Sequence, residues 1–463
     1  MAALADQYDI VILGGGPAGY GTALYGGSAG LNIALVEEER VGGTCLHRGC
    51  IPAKELLQTA DVLRTVRDAG EFGIEAGEPV LDLKRAQERK RDVVERLTRG
   101  TETLLKGRNV TIIESRGEVV PGSPPRIRTA DGTELEGRNI VIATGSTPRA
   151  LPGLDFDGTR ILSSDHVLEL TELPKRVAII GGGVIGAEFA SMLIDMGSEV
   201  TMLEALPRIL STMDAEVSST VARSFKKRGV DVQEGTRITG IEGAVELTVS
   251  WDAGAGEQSK IVDKVIVSIG RAPLSSGIGL EAAGINVDDR GYVVVDEFLR
   301  TNVDGVFAAG DVIDAPQLAH VGFAEGISIV KSVLGESHSP LDYEKVPWVI
   351  YCRPEVASCG LTEEQARERG HDVVVAKHRF GGDGRAMIIG ETEGLVKLVT
   401  DRDGLLLGVH IVGPWATELL GEGYLSVNWE ANAEDIAALV HPHPTLSEVF
   451  GEAALSRLGR RLH

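Results

Sequence analysis

One pattern occurs twice in this 463-residue chain and restricts its fold more than anything else in it. The segment YDIVILGGGPAGYGTALYGGSAGLNIALVEEE (8–39) aligns with KRVAIIGGGVIGAEFASMLIDMGSEVTMLEA (175–205). Each copy runs through an apolar strand, a G-x-G-x-x-G turn, a helix-length segment, a second apolar strand and an acid. The glycines are Gly14, Gly16 and Gly19 in the first copy and Gly181, Gly183 and Gly186 in the second. The acids are Glu37 and Glu204, each 23 residues after the first glycine of its copy. A lone glycine fingerprint is weak; one that follows a strand, opens a helix and is completed by an acid at this distance is specific. Glycine lets the backbone approach a pyrophosphate, the helix N-terminus faces the anion, and the carboxylate accepts from ribose hydroxyls. Two such sites on one chain imply an electron relay between two dinucleotides. Glu204 favours NAD over NADP, because a carboxylate there repels a 2′-phosphate; Arg208 lies nearby but not in the acid's place.

The chain's length predicts about three domains. The first region, 1–150, closes with IVIATGSTPRALPG; the second, 151–272, closes with VIVSIGRAP in a similar way. The central segment 273–345 holds TNVDGVFAAGDV, a strand ending in Gly310-Asp311. From 346 to 463 no phosphate loop occurs, and strand-like runs (395–399, 405–412) alternate with helical ones (415–426, 433–439). Residues 53–107 read as mostly helical, interrupted by the polar segment 76–90. The fold class expected is α/β, with two Rossmann-like dinucleotide-binding domains followed by an α+β block.

The formal net charge of −22 argues against a nucleic-acid or anionic-membrane surface. The N-terminus has no basic region and no small-residue cleavage site, so a secretory signal is not expected. The longest apolar stretch contains Glu188 and reads as strand plus helix, not as a membrane span. The expected location is cytoplasmic. Four cysteines do not make a disulfide scaffold, and a close pair in such a chain is redox-active or metal-binding more often than structural.

That close pair is Cys45 and Cys50, in GGTCLHRGCIPAKELL. On a regular helix their Cα atoms would be about 8.6 Å apart, whereas a disulfide needs at most about 7 Å. If they bond, the chain between them is not regular helix; Gly42, Gly43 and Gly49 supply the freedom. PAKELL then reads as helix, which puts Cys50 near a helix N-terminus, where thiolate chemistry is favoured. Cys352 and Cys359, with six residues between them, do not complete a usual zinc pattern, so no metal is expected. Disulfide, metal clamp and inert thiols stay open on spacing alone. The other unusual string is HPHPTLSEVF (441–450). Glu448 could orient and charge an imidazole as a general base. The alternatives are that Glu448 is the third residue of a helix capped by Thr445, or that the histidines form a metal site.

With these strings together the chain resembles the pyridine nucleotide–disulfide oxidoreductases, over essentially its whole length. The carrying motifs are GGGPAGY, GGTCLHRGCIPAK, ATG, GGGVIGAE with TMLEA, GRAP, GVFAAGDV, LAHVGFAEG and HPHPTLSE. The resemblance implies that Gly14, Gly16, Gly19 and Glu37 hold the ADP half of FAD, with Gly117, Thr144 and Gly145 beside it. It implies that Asp311 bonds the ribityl chain and Ala319 meets the flavin ring. Lys54 would sit at the flavin's reactive edge, paired with Glu188. Gly181, Gly183, Gly186, Glu204 and Gly270 would hold NAD. Cys45 and Cys50 would form a redox disulfide, with Cys45 facing the substrate and Cys50 the flavin. His443 would be the base and Glu448 its partner. The implied reaction is oxidation of dihydrolipoamide by NAD⁺; reduction of another small disulfide, or service mainly as an assembly subunit, are the alternatives. The last block would make a homodimer in which each base serves the other subunit. The further partner would be a lipoyl-bearing subunit of a 2-oxoacid dehydrogenase or glycine cleavage complex. His47-Arg48 departs from the Asn-Val common in relatives, and Ala53 from their Ser; Arg48 is expected to place a fixed positive charge beside the disulfide.

Overall fold

Strands such as YDIVIL and RVAII carry apolar side chains on both faces, the mark of a parallel sheet covered on both sides. The computed structural model, which describes residues 8–122, 126–254 and 256–463, folds them that way. In both nucleotide motifs the strand before the glycine turn is buried almost throughout. The chain divides into two compact units.

The first unit takes the chain through Glu55, then Lys84–Arg149 and Gly270–Tyr343. Its sheet runs Thr111–Glu114, Ile33–Glu37, Tyr8–Leu13, Glu134–Ile142, Arg126–Thr129, Gly117–Val120. The first four are parallel. The long strand Glu134–Ile142 pairs in parallel with Tyr8–Leu13 along its C-terminal half. Its start instead turns antiparallel to Arg126–Thr129. Val306–Ala308, from the central segment, adds to the same long strand in parallel. The core between sheet and helices is built from Ile10, Ile12, Leu35, Ile140 and Ile142, none of them accessible to solvent.

The second unit holds Leu56–Leu83, Ala150–Ile269 and the chain from Glu344 on. Five parallel strands run Asp231–Gln233, Glu199–Leu203, Arg176–Ile180, Lys264–Val267, Ile161–Leu162. A three-stranded antiparallel sheet (Arg237–Glu242, Leu247–Asp252, Glu257–Val262) is inserted between Asp231–Gln233 and Lys264–Val267. From Trp348 on, five antiparallel strands are covered by the helices Ala416–Asn428 and Glu448–Arg457.

The interruption expected over 76–90 is shorter in the structure. The helix Cys50–Arg67 ends in a 3₁₀ turn, Asp68–Phe72, and a new helix starts at Leu83 and runs to Gly107. Residues 83–90 are polar, but they are Leu, Lys, Arg, Ala, Gln and Glu, all strong helix formers, so the stretch is helical and buries Ala86, Gln87 and Lys90 on one side. Among the described residues no helix is long and apolar enough to cross a membrane.

Candidate functional site

The first glycine turn is closed by contacts that exclude side chains. Gly14 has φ 106°, and a Cβ on it would lie 2.3 Å from the Ala143 carbonyl oxygen. A Cβ on Gly19 would lie 1.9 Å from the Gly14 oxygen, so the helix Pro17–Ser28 presses its first turn onto the strand end. Gly16 stands at its N-cap, ahead of Pro17. Glu37 Oε2 accepts the Gly15 N–H at 2.6 Å and Oε1 the Glu39 N–H at 2.9 Å. Across the sheet, Thr144 donates its hydroxyl to the Leu274 oxygen at 2.7 Å, and Gly145, with φ 76°, has open space where a Cβ would be. Gly117 is a packing glycine: a Cβ there would strike Leu13, Ile127 and Val36. Asp311 follows Gly310, and its Oδ2 accepts from the Ser146 hydroxyl at 2.5 Å. Arg271 Nε donates to that hydroxyl oxygen at 2.7 Å, and Nη2 to the Ser146 carbonyl at 2.7 Å. Ala319 opens the helix Ala319–Leu334. Open backbone at a helix start, a carboxylate at the second strand end and vacant space at Gly145 fit FAD.

The second turn, in the other unit, repeats the first. Gly181 has φ 105°, and its Cβ would meet the Ser268 oxygen at 2.5 Å; the Cβ of Gly186 would lie 2.0 Å from the Gly181 oxygen, and that of Gly183 meets nothing. Glu204 Oε2 accepts the Gly182 N–H at 2.5 Å and Oε1 the Leu206 N–H at 2.7 Å. Arg208 is bound to Glu364 through both terminal nitrogens. The donor set fits NAD. Gly270, with φ 119° and open space around its Cβ position, belongs to the first unit. Glu188, on the helix Val184–Met196, is buried, and its Oε1 accepts the Tyr351 N–H at 3.0 Å.

Cys45 lies on the helix Gly43–Arg48 and Cys50 begins the helix Cys50–Arg67. The break is Gly49, with φ −142° and ψ −112°, and a Cβ on it would lie 2.8 Å from the Thr44 oxygen. The chain is therefore not regular helix between the two sulfurs. Both are thiols in this structure, each partly buried. A hydrogen bond with Cys50, and then burial, push the Cys45 thiol up, while the nearby Lys54 ammonium pulls it back. The cysteine segment is fastened to the first glycine turn: the Gly42 N–H donates to the Gly15 oxygen at 2.8 Å, and Gly43 sits against Gly16 so closely that a Cβ would come within 2.6 Å of its Cα. Tyr20, one turn into the helix behind that turn, is pushed up to about 12 by burial and then by the two cysteines, so its phenol stays protonated.

Arg48 forms an ion pair with Glu39, both side chains exposed. His47 Nε2 lies 3.0 Å from the Val41 oxygen.

In HPHPTLSEVF, His443 is exposed, and its Nδ1 stands 2.9 Å from Glu448 Oε1. Glu448 Oε2 accepts the Thr445 N–H at 2.8 Å. Burial pushes the Glu448 carboxyl up, but the Thr445 N–H and His443 outweigh it and hold it below the usual carboxylate range. The helix begins at Glu448 with Ser447 at its N-cap, so only half of the capping arrangement with Thr445 forms. His441 has its own acid: Nε2 is 2.9 Å from Glu422 Oε1.

The sequence pattern named the carboxylates, glycines, cysteines and histidine, but not the groups that hold them. Ser146 and Arg271 under Asp311, Glu422 on His441, and Glu325 and Tyr343 at Gly310 were passed over. GRAP and LAHVGFAEG contain Arg271 and Glu325, yet a motif gives no partner for a residue that folding brings from 15 to 165 positions away.

Residues 8–326 match the model of the pyridine nucleotide-disulphide oxidoreductases and residues 346–454 the dimerisation domain of that family. The dihydrolipoyl dehydrogenase of Bacillus subtilis (strain 168) is 41% identical, covering 99% of this chain and 100% of its own. Among solved structures, LpdA from Mycobacterium tuberculosis superposes with a TM-score of 0.89 at 28% identity, covering 96% of this chain and 98% of the other. The HOCl-induced flavoprotein disulfide reductase RclA from Escherichia coli does so at 0.87 and 29%, covering 97% and 99%.

Proposed function

Since the chain belongs to the pyridine nucleotide–disulphide oxidoreductase family, we propose that it catalyses dihydrolipoamide + NAD⁺ → lipoamide + NADH + H⁺. The observation that carries this reading is the fastening of the cysteine segment to the first glycine turn through Gly42–Gly15 and Gly43–Gly16. A thiol pair fastened beside one of two dinucleotide-type glycine turns supports a relay between them. The likeness to a Bacillus subtilis dihydrolipoyl dehydrogenase, full length in both chains, supports the substrate.

FAD would be held by Gly14, Gly16, Gly19, Glu37, Gly117, Thr144, Gly145, Asp311 and Ala319, with Lys54 beside it. NAD would be held by Gly181, Gly183, Gly186, Glu188, Glu204 and Gly270. In the oxidised protein Cys45 and Cys50 are joined. A substrate thiolate attacks the Cys45 sulfur and displaces Cys50 as thiolate. The second substrate thiol then attacks the mixed disulfide, closes the substrate's own disulfide ring and releases Cys45. His443 takes the substrate protons at Nε2, because Nδ1–H is engaged by the ionised Glu448. When bound, FAD would supply two-electron transfer between the cysteine pair and NAD⁺.

The chain works as a homodimer through the dimerisation domain, with His443 of one subunit serving the cysteines of the other. Trp415, Trp429, Leu439 and Val440 support this, since all are exposed and the last two stand just ahead of the histidines. The partner is a lipoyl-bearing subunit of a multienzyme complex, and the location is the cytoplasm.

The test mixes purified protein with dihydrolipoamide and either NAD⁺ or NADP⁺ and follows absorbance of the reduced nucleotide. NADH with preference for NAD⁺ is expected. Yellow protein that is bleached by NADH but gives none from dihydrolipoamide would move the search to another disulfide.

A further inference from the structure

Beside Asp311, the Gly310 N–H and the Tyr343 hydroxyl hold a carboxyl that the reaction above does not use. Glu325 lies one and a half turns into the helix Ala319–Leu334 and is wholly inaccessible to solvent. Its Oε2 accepts the Gly310 N–H at 2.6 Å and its Oε1 the Tyr343 hydroxyl at 2.9 Å. Gly310 has φ 76° and packs against Ala18, so the turn it begins has no slack on the side of the first helix. The next residue is Asp311, whose carboxylate is fixed from its other end by Ser146 and Arg271.

Resting on the reading of this site as the FAD site, we propose that Glu325 is a positioning residue for the flavin. By gripping the Gly310 N–H and the Tyr343 hydroxyl, it fixes the turn that presents Asp311, and when ionised it sets a negative charge one residue behind that carboxylate. Burying a carboxyl costs free energy unless its oxygens are satisfied. Here both oxygens meet donors, and a charged acceptor holds an N–H about twice as strongly as a neutral one.

Burial pushes the Glu325 carboxyl up to about 7; the Gly310 N–H and the Tyr343 hydroxyl pull it back and Asp311 adds to the rise. Burial and Glu325 itself push the Tyr343 phenol up, so it remains a donor. The titratable or charged groups around Glu325 are Asp311 with Arg271 behind it, Tyr343, and, nearly one turn along its own helix, His338 on Ser328. The first helix faces this one with Ala18, Gly21, Thr22 and Tyr20, whose ring packs edge-on against Phe323; of these only Tyr20 titrates, and it stays protonated over this range. A glutamine copies the protonated acid, so Glu325→Gln and the native protein should be alike below this range and differ above it.

The experiment compares native protein, Glu325→Gln and Tyr343→Phe from pH 5.5 to 8.5. It reads the FAD dissociation constant by flavin fluorescence, the flavin midpoint potential, and the apoprotein's melting temperature. At pH 8.5, Glu325→Gln should bind FAD about tenfold more weakly, and its flavin should be easier to reduce because a nearby negative charge is gone. Both gaps should close by pH 5.5. Tyr343→Phe should weaken FAD less and keep the pH dependence of the potential, which serves if the glutamine variant does not fold. Native protein that binds no flavin overturns the FAD reading itself. Flavin affinity and potential matching the native protein at every pH, whether or not the melting temperature falls, overturn the role of Glu325 alone.

Discussion

The two glycine turns are closed by the same device and supported by different ones. In each, the fingerprint carboxylate takes an N–H of its own turn: Glu37 from Gly15, Glu204 from Gly182. Behind the first turn, support comes from backbone approach. Gly322 meets Ala18, Gly326 meets Thr22, and Gly21 meets Phe323, so the two helices touch through missing side chains. Behind the second, the helix Val184–Met196 buries Phe189, Met192 and Leu193, and its acids are engaged elsewhere. Asp195 binds Arg64 and Arg228, and Glu188 binds the Tyr351 N–H. A motif that fixes a nucleotide turn therefore leaves its surroundings undetermined. One half trades side-chain volume for closeness, and the other spends charge.

The sharpest separation of the halves comes from the glycines pressed on their own turns. Gly19→Ala and Gly186→Ala each drive a methyl into a carbonyl oxygen, 1.9 and 2.0 Å away. Gly19→Ala should purify without flavin. Gly186→Ala should stay yellow and lose NAD affinity more than a hundredfold, roughly 3 kcal/mol, read by visible absorbance and calorimetry. Loss of flavin from both would mean that the halves are not independent.

The next effect belongs to the second half. Arg228→Met strips one partner from the nearly buried Asp195 and frees Ser191 and the Arg353 oxygen. It should cost about 3 kcal/mol in urea unfolding, with FAD affinity unchanged. Gly326→Ala is its counterpart in the first half, where a Cβ would come 2.6 Å from Thr22 Oγ1 and 2.8 Å from Thr22 N. The expected cost is about 2 kcal/mol, with faster FAD release and unaltered NAD binding. Smallest should be the fingerprint acids. Glu37→Gln and Glu204→Gln keep the shape and lose the charge, for roughly 1 kcal/mol each in affinity for their own nucleotide. Only Glu204→Gln should narrow the preference for NAD⁺ over NADP⁺ in steady-state rates.

Legibility followed the same division. The turns were readable because glycine, strand and acid lie within one short stretch, and each piece has a single physical use there. A break between the cysteines was readable on the condition that they bond, because a disulfide needs their Cα atoms closer than a regular helix allows, and Gly49 was one of three glycines that could supply it. The Arg48–Glu39 ion pair was not readable, because Glu39 sits on the loop before the cysteine segment, where nothing in the sequence pairs them. The helix start at Leu83 was not legible, because polarity marks the interruption over 76–90 while residues 83–90 are strong helix formers. Glu325, Tyr343, Ser146 and Arg271 were invisible for a third reason. Their roles exist only once the central segment has joined the first sheet beside Glu134–Ile142.

The central claim is that electrons pass between the two nucleotide sites and the outside through Cys45 and Cys50. The most direct measurement alkylates the folded protein anaerobically, before and after NADH in slight excess, and maps the labelled residues by mass spectrometry. The account predicts that neither cysteine is labelled in oxidised protein and that NADH exposes both, two thiols for the two electrons delivered. Flavin bleached by NADH with no new label on Cys45 and Cys50 would contradict it.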